Sequence, residues 1–176
     1  MQDSKAFELW LDEALGAGKS IRDLCLPGVR IRDRDLSGMQ IERCDLSGAV
    51  LERVRLSCST FQLVFLDGAV LTDCNFSGAK IRSALFADSR IEGCTFTDCD
   101  LVLCNLMGVR CGGTVFDHSN LYGSRFIGAR FEKVSMRDCN LTRTFFTRGQ
   151  EADIDFRSSN TNEAIFVGMK SQENAQ

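Results

Sequence analysis

Residues 26–55 read, in groups of five, LPGVR, IRDRD, LSGMQ, IERCD, LSGAV and LERVR. The first residue of each group, which we call the centre, is large and apolar, and the same frame continues to Phe166. Every centre in this range is Leu, Ile, Phe, Met or Cys except Glu151 and Thr161. A period of five matches neither the 3.6 of an α-helix nor the 2 of a long β-strand. The chain is therefore predicted to bend once every five residues.

Two further slots of the group carry a recurring residue type. The slot two residues before the centre, which we call the small slot, mostly holds a compact side chain, with Arg34 and Met39 as early exceptions. The slot two residues after the centre, which we call the corner slot, holds eleven of the 15 glycines. A type II turn needs a positive φ at its third residue, and glycine adopts it without strain. Each group is thus predicted to be a short strand and a corner, with centre and small slot inside.

These residues resemble the pentapeptide-repeat family, whose repeat is summarised as A(D/N)LXX. Groups such as CDLSG at 44–48, CNFSG at 74–78 and CNLTR at 139–143 carry the resemblance, which covers most of the chain. It implies an all-β solenoid, a right-handed quadrilateral β-helix with four groups in each coil and about seven coils. With strands about 4.8 Å apart, such a rod is roughly 35 Å long.

The ends of such a rod have unpaired strand edges that need a cover. We predict a capping α-helix and linker in residues 1–20, the solenoid in residues 21–170 and a polar tail in residues 171–176. Ser4 can cap the helix. The apolar residues of the helix recur at helical spacing: Ala6, Phe7, Trp10, Leu11, Ala14 and Leu15.

The C-terminal end has no comparable cap in the sequence. Its coils carry apolar residues that we call the terminal set: Phe145, Ile154, Ile165, Phe166, Val167 and Met169. We predict that two copies of this end meet in a twofold homodimer, as proteins of the resembled family often do; a monomer with a frayed last coil is the alternative. Because Glu151 or Thr161 at a centre would bury a polar group, we also expect an irregular coil near Gly149.

Composition and charge argue against several classes of function. The net charge of −3, from 21 basic and 24 acidic residues, lacks the basic bias of a nucleic-acid-binding protein, so no direct nucleic-acid binding is expected. No apolar run approaches the roughly 18 residues of a membrane span, and the first residues do not resemble a signal peptide. The chain is therefore predicted to be cytoplasmic, where its nine cysteines stay reduced.

Three features that could suggest chemistry are interpreted as structural. GAGKS at 16–20 lacks the first glycine and the preceding strand of a phosphate-binding loop. The frame points His118 outward and Ser119 inward, so they cannot act as base and nucleophile. Seven cysteines are predicted to be small core residues and not metal ligands: Cys44, Cys74, Cys94, Cys99, Cys104, Cys111 and Cys139. Cys25 and Cys58 point outward, and their reactivity is open. No enzymatic activity, metal or cofactor is predicted.

One outward surface is unexpectedly apolar, and we call it the apolar side: Leu63, Phe65, Leu85, Val102, Leu103, Met107, Tyr122 and Ile127. Such patches usually mark contact sites, unless the capping helix or a dimer partner covers them. The first hypothesis is a non-enzymatic, rigid scaffold or adaptor that binds an unidentified protein through this side.

The alternative function follows from the resemblance. It is a DNA-mimicking inhibitor or protector of a type II topoisomerase such as gyrase, related to the quinolone-resistance pentapeptide proteins. A second, charged side of the rod carries eight basic and six acidic outward residues. This mixture fits a DNA mimic poorly and is interpreted as a solvated surface.

Overall fold

The computed structural model of the chain describes residues 11–13, 20–147 and 152–168. Most of the strands in these residues are only three residues long. Their bounds are β1 (Ser20–Arg22), β2 (Arg30–Arg32), β3 (Gln40–Glu42), β4 (Val50–Glu52), β5 (Thr60–Gln62), β6 (Val70–Thr72), β7 (Lys80–Arg82), β8 (Arg90–Glu92), β9 (Arg110–Gly112), β10 (Arg125–Phe126), β11 (Arg130–Ser135), β12 (Phe145–Thr147), β13 (Ala152–Asp155) and β14 (Ile165–Val167). Over these residues we find no helix with the length and apolar character needed to cross a membrane.

Strands of successive coils pair in parallel, which gives a solenoid with four faces. Three faces contain these strands: face 1 in the order β1-β3-β5-β7, face 2 in the order β10-β12-β14 and face 3 in the order β2-β4-β6-β8-β9-β11-β13. Face 4 is held by single parallel bridges, from Asp35↔Arg55 to Val115↔Ser135. Paired residues lie 20 positions apart, as in Ile21↔Ile41. The four faces and this spacing confirm the predicted quadrilateral β-helix.

The interior consists of the centres and the small slots, as the five-residue frame predicts. All centres from Ile31 to Phe146 are buried. Their aromatic rings stack from coil to coil, with centroids 4.5 Å apart for Phe76 and Phe96 and 5.0 Å apart for Phe96 and Phe116. Each coil therefore packs on its neighbours along one continuous core, which is how a narrow rod buries its large apolar side chains.

The corners have the positive φ angles that the glycines predict. Eleven glycines of the corner slot have φ between 55° and 74°. The same slot has a positive φ when it holds a larger residue, including Leu63 at 54° and Leu103 at 57°. This conformation costs a residue with a Cβ atom roughly 1–2 kcal/mol. Glycine is therefore favoured at the corners, but the fold does not require it.

The N-terminal end of the rod is covered by a helical segment at residues 11–13. Leu11 is fully buried and belongs to the same apolar core as the solenoid. The Arg34 guanidinium pairs with the Asp12 carboxylate at 3.0 Å. This ion pair gives a reason for the large residue in an early small slot, because Arg34 reaches the helical segment. The other predicted helix residues, including Ser4 and Trp10, lie outside the described residues.

The frame shifts by one residue in face 3 near the C-terminal end. Phe131 pairs with Ala152, 21 positions later, whereas Val134 pairs with Ile154 at the usual 20. This change of register confirms the irregularity predicted for the coil, whereas Gly149 and Glu151 themselves lie outside the described residues.

Candidate interaction surface

The residues considered for catalysis do not form a catalytic group. Ser119 is buried, and its hydroxyl donates to the Phe96 carbonyl oxygen at 2.5 Å and accepts from the Cys99 N–H at 2.9 Å. His118 is exposed, and its Nδ1 atom lies 3.9 Å from the Asp138 carboxylate. The Ser119 hydroxyl is therefore hydrogen-bonded to the backbone inside the rod, whereas the His118 imidazole lies on the surface, so the two groups do not meet.

The cysteines follow the predicted division into core and surface. Cys25 and Cys58 are exposed, and the other seven are buried. Burial raises the pKa of Cys99 and of Cys104 to about 12 each, so their thiolate forms are disfavoured at neutral pH. In the part of the chain that the structure describes, no cluster of His, Cys, Asp or Glu could hold a metal ion. Most of GAGKS falls outside that part.

The apolar side lies along the edge where faces 1 and 2 meet. Four of its eight residues are exposed, and we call these four the apolar corner: Leu63 (49% exposed), Phe65 (43%), Leu103 (58%) and Met107 (38%). The other four are half-buried: Leu85, Val102, Tyr122 and Ile127. The surface that a partner could reach is therefore narrower than the sequence predicts, and it is centred on the corner.

Folding does not explain the two leucines of the apolar corner. Leu63 and Leu103 expose large apolar side chains from a backbone conformation that favours Gly, Asn or Asp. The next residue along the same edge is Gly123, where an added Cβ atom would lie only 2.7 Å from Cδ2 of Leu103. The Leu103 side chain thus packs over Gly123, where a larger residue would collide with it. Both leucines combine an exposed apolar side chain with an unfavourable backbone conformation, and exposed apolar side chains that lie together usually mark a contact site.

Polar residues fix the flank of the apolar corner. Arg143 donates from Nη1 to the Tyr122 hydroxyl at 2.8 Å, and its Nε pairs with the Glu163 carboxylate at 2.5 Å. The guanidinium carbon also lies 5.9 Å from the centroid of the Tyr122 ring. Tyrosine and arginine are common at the energetic centres of interfaces. Arg143 was not predicted as a site residue, although its place 20 residues after Gly123 puts it on the same edge.

A shallow groove of about 570 Å³ runs along face 1 beside Leu63. Its floor and walls come from two neighbouring coils: Thr60, Phe61, Gln62, Leu63, Lys80, Arg82 and Ser83. Lys80 and Arg82 are exposed, and Arg82 pairs with the Asp100 carboxylate at 2.5 Å. The apolar corner therefore has a concave, basic border on one side.

The terminal set is only partly displayed at the C-terminal end. Three of its residues are exposed, all of them in β14: Ile165, Phe166 and Val167. Phe145 is half-buried. Ile154 is buried, so its prediction as a displayed residue is wrong; the restored register beside Val134 turns it inward. Met169 lies outside the described residues. Among the described strands β14 pairs only with β12, so it forms the outer edge of face 2.

Comparison with known proteins bears on the fold and its family. The model of the family "Pentapeptide repeats" matches eight copies over residues 35–73, 74–110 and 104–143. No curated protein matches the chain.

Among solved structures, this chain is similar to HetL from the cyanobacterium Nostoc sp. strain PCC 7120, a pentapeptide repeat protein involved in heterocyst differentiation regulation. It has 12% identity and a TM-score of 0.39, over 88% of this chain and 92% of that one. QnrB1, a plasmid-mediated fluoroquinolone resistance protein, has 19% identity and a TM-score of 0.45, over 85% and 94%. A pentapeptide repeat protein of the Arabidopsis thaliana thylakoid lumen has 26% identity and a TM-score of 0.34, over 68% and 70%.

Proposed function

We propose that this chain, which belongs to the pentapeptide-repeat family, is a rigid, non-catalytic interaction module that binds a protein partner through its apolar corner in the cytoplasm. The observation that carries the proposal is the pair of exposed leucines, Leu63 and Leu103, in left-handed corner slots. An exposed leucine there is unfavourable for the free rod in two separate ways. A partner that removes both side chains from water gains the free energy of burying their apolar surface, while the cost of the backbone conformation is the same before and after binding.

The form of the surface supports a protein partner. Phe65 and Met107 extend the apolar corner onto face 2, and Tyr122 is held on its flank by Arg143. An apolar centre with a polar border is the usual arrangement of a protein–protein interface. Because the strands are fixed by pairing on both sides, little ordering of the backbone is needed on binding, which favours affinity.

The test replaces both leucines in the variant Leu63→Asn/Leu103→Asn. Asparagine tolerates a positive φ better than leucine, so we expect a stability equal to or above that of the wild type. Affinity capture from lysate of the native host, followed by titration with the purified captured protein, should show binding to the wild type. The double variant should bind at least about a hundredfold more weakly if each leucine contributes about 1.4 kcal/mol.

The matched control is Asp98→Asn/His118→Asn, which places asparagine in two exposed corner slots of another edge. It should bind the partner as the wild type does. Equal binding by the leucine variant would contradict the apolar corner as the binding site. If the captured protein were a type II topoisomerase held equally by all three baits, the DNA-mimic alternative would replace this proposal.

We also propose that the chain forms a homodimer through the exposed residues of β14. Ile165 and Val167 project from an outer strand edge, and the Phe166 ring stacks on Phe146 with centroids 5.1 Å apart. A second copy related by a twofold axis could cover the same apolar residues on both chains.

The dimer is tested by size-exclusion chromatography with light scattering. The wild type is expected at twice the mass of one chain, and Ile165→Glu/Val167→Glu at the mass of one chain, because four carboxylates would meet at the interface. Asn160→Glu/Asn162→Glu adds the same charge to exposed positions of the same coil, on face 1, and should stay dimeric. A wild type with the mass of one chain would contradict the proposal.

A further inference from the structure

Three arginines of face 3 stand in one column, which we call the arginine column. The parallel register of β8, β9 and β11 places Arg90 beside Arg110 and Arg110 beside Arg130. All three side chains are exposed. Neighbouring strands lie about 4.8 Å apart, and like charges directly opposite one another destabilise a sheet. The column therefore places three positive charges where the fold alone would favour neutral or opposite ones.

Other arginines of the rod are arranged in the opposite way. Near the N-terminal end each of two arginines is paired with a carboxylate in the preceding coil: Arg43 contacts both oxygens of Asp23 at 2.6 and 2.7 Å, and Arg53 contacts both oxygens of Asp33 at 2.6 and 2.8 Å. These bonds lower the pKa of both carboxyl groups. Arginines elsewhere in the rod thus form ion pairs with carboxylates of a neighbouring coil. The arginine column differs from these, because it places like charges side by side on neighbouring coils.

The column has unused capacity to bind an anion. Arg90 donates from Nε to the Glu92 carboxylate at 3.1 Å. Arg110 and Arg130 make no side-chain hydrogen bond or ion pair among residues 11–13, 20–147 and 152–168. A guanidinium group presents a planar fork of donors that matches a carboxylate. Two such forks on adjacent coils therefore point into solvent without a partner in the described chain.

The surface beside the column has a depression at Gly112, which follows Arg110 and Cys111. Gly112 lines this depression, which has a volume of about 210 Å³ and is bordered by the arginine column, Glu92 and Glu132. The Glu92 carboxylate extends over Gly112, where an added Cβ atom would collide with it. The space beside the arginines thus already accommodates one carboxylate group, which indicates the kind of group that fits there.

We propose that the arginine column binds an extended, acidic segment of a protein. In an extended segment every second side chain lies on the same face, about 6.8 Å apart, so two carboxylates of one face fit within a column that spans about 10 Å. Glu92 and Glu132 border the same depression and would repel the uniform negative charge of a nucleic-acid backbone. A protein segment avoids this repulsion by placing neutral residues between its carboxylates.

The proposal is independent of the apolar corner, because face 3 does not include that edge. The probe is a fluorescein-labelled dodecapeptide of alternating glutamate and serine, followed by fluorescence anisotropy at low salt. The wild type should bind it, and Arg110→Gln/Arg130→Gln should bind at least about tenfold more weakly, because the charge-assisted hydrogen bonds are lost. The control Arg30→Gln/Arg125→Gln removes the same charge from exposed arginines outside the column and should bind as the wild type does.

Thermal unfolding distinguishes a contact site from a structural element. Relief of the like-charge repulsion should leave the Tm of Arg110→Gln/Arg130→Gln equal to or above that of the wild type. A lowered Tm together with weaker binding would overturn the proposal, as would equal binding by both variants. Tighter binding of a labelled oligothymidylate of 12 nucleotides than of the peptide would overturn the choice of a protein segment.

Discussion

Phe126→Ala is expected to lower the free energy of unfolding by about 3–5 kcal/mol, the range for removal of a buried phenylalanine ring. Phe126 is fully buried in face 2. Its ring stacks on Phe146 with centroids 5.0 Å apart and an interplanar angle of 3°. It also meets the Phe116 ring edge-on at 6.4 Å and the Phe131 ring at 5.6 Å. Because each coil contacts only its neighbours, the cavity would loosen the coils that hold these rings and would not be shared by the whole rod.

The measurement is urea denaturation followed by far-ultraviolet circular dichroism. Phe65→Ala is the matched control, because it makes the same change at a phenylalanine that is 43% exposed on the same face. It should cost less than about 1 kcal/mol. Equal losses at the two positions would contradict the assignment of Phe126 to a tightly packed stack.

The fold could be predicted from the sequence because period and burial have one common cause. A corner every five residues turns every centre and every small slot inward, so the apolar residues must recur at the same period. The buried centres from Ile31 to Phe146 follow from the period alone. The same logic predicted that Cys111 is buried and that Cys58 is exposed.

The surface and the last coils could be predicted only in part. The frame tells whether a side chain points outward, but it does not tell how far its neighbours cover it; Ile127 and Leu103 both point outward, yet only Leu103 is exposed. The polar residue at position 151 of the sequence indicated an irregular coil, but the frame alone could not tell that Ala152 pairs with Phe131 while Val134 keeps its usual partner, Ile154. The arginine column was not predicted, because a count of basic and acidic residues does not show which of them lie side by side. That is decided by the register between strands of successive coils.

A second large effect is expected from the loss of a single buried hydroxyl group, in the variant Ser124→Ala. The Ser124 hydroxyl donates to the Leu101 carbonyl oxygen at 2.6 Å and accepts from the Cys104 N–H at 2.9 Å. It therefore joins the two backbone groups of a corner in the preceding coil. Alanine fits this slot, which holds Ala84 and Ala129 elsewhere, so the substitution should act through hydrogen bonding and not through packing.

The expected loss for Ser124→Ala is about 1–3 kcal/mol, the desolvation penalty of a buried N–H group that loses its acceptor. Ser89→Ala is the control. Its hydroxyl lies 2.7 Å from the Phe86 carbonyl oxygen of its own turn and 2.9 Å from the Leu66 carbonyl oxygen of the preceding coil, and it can donate its one proton to either. The Ala69 N–H bonds directly to the Leu66 carbonyl oxygen at 3.0 Å. The control removes a donor while the corner keeps its own bond, so it should cost only about 0.5–1.5 kcal/mol. Urea denaturation of both variants gives the comparison, and a loss at Ser89 as large as at Ser124 would show that the bridge across the corner has no special part in holding successive coils together.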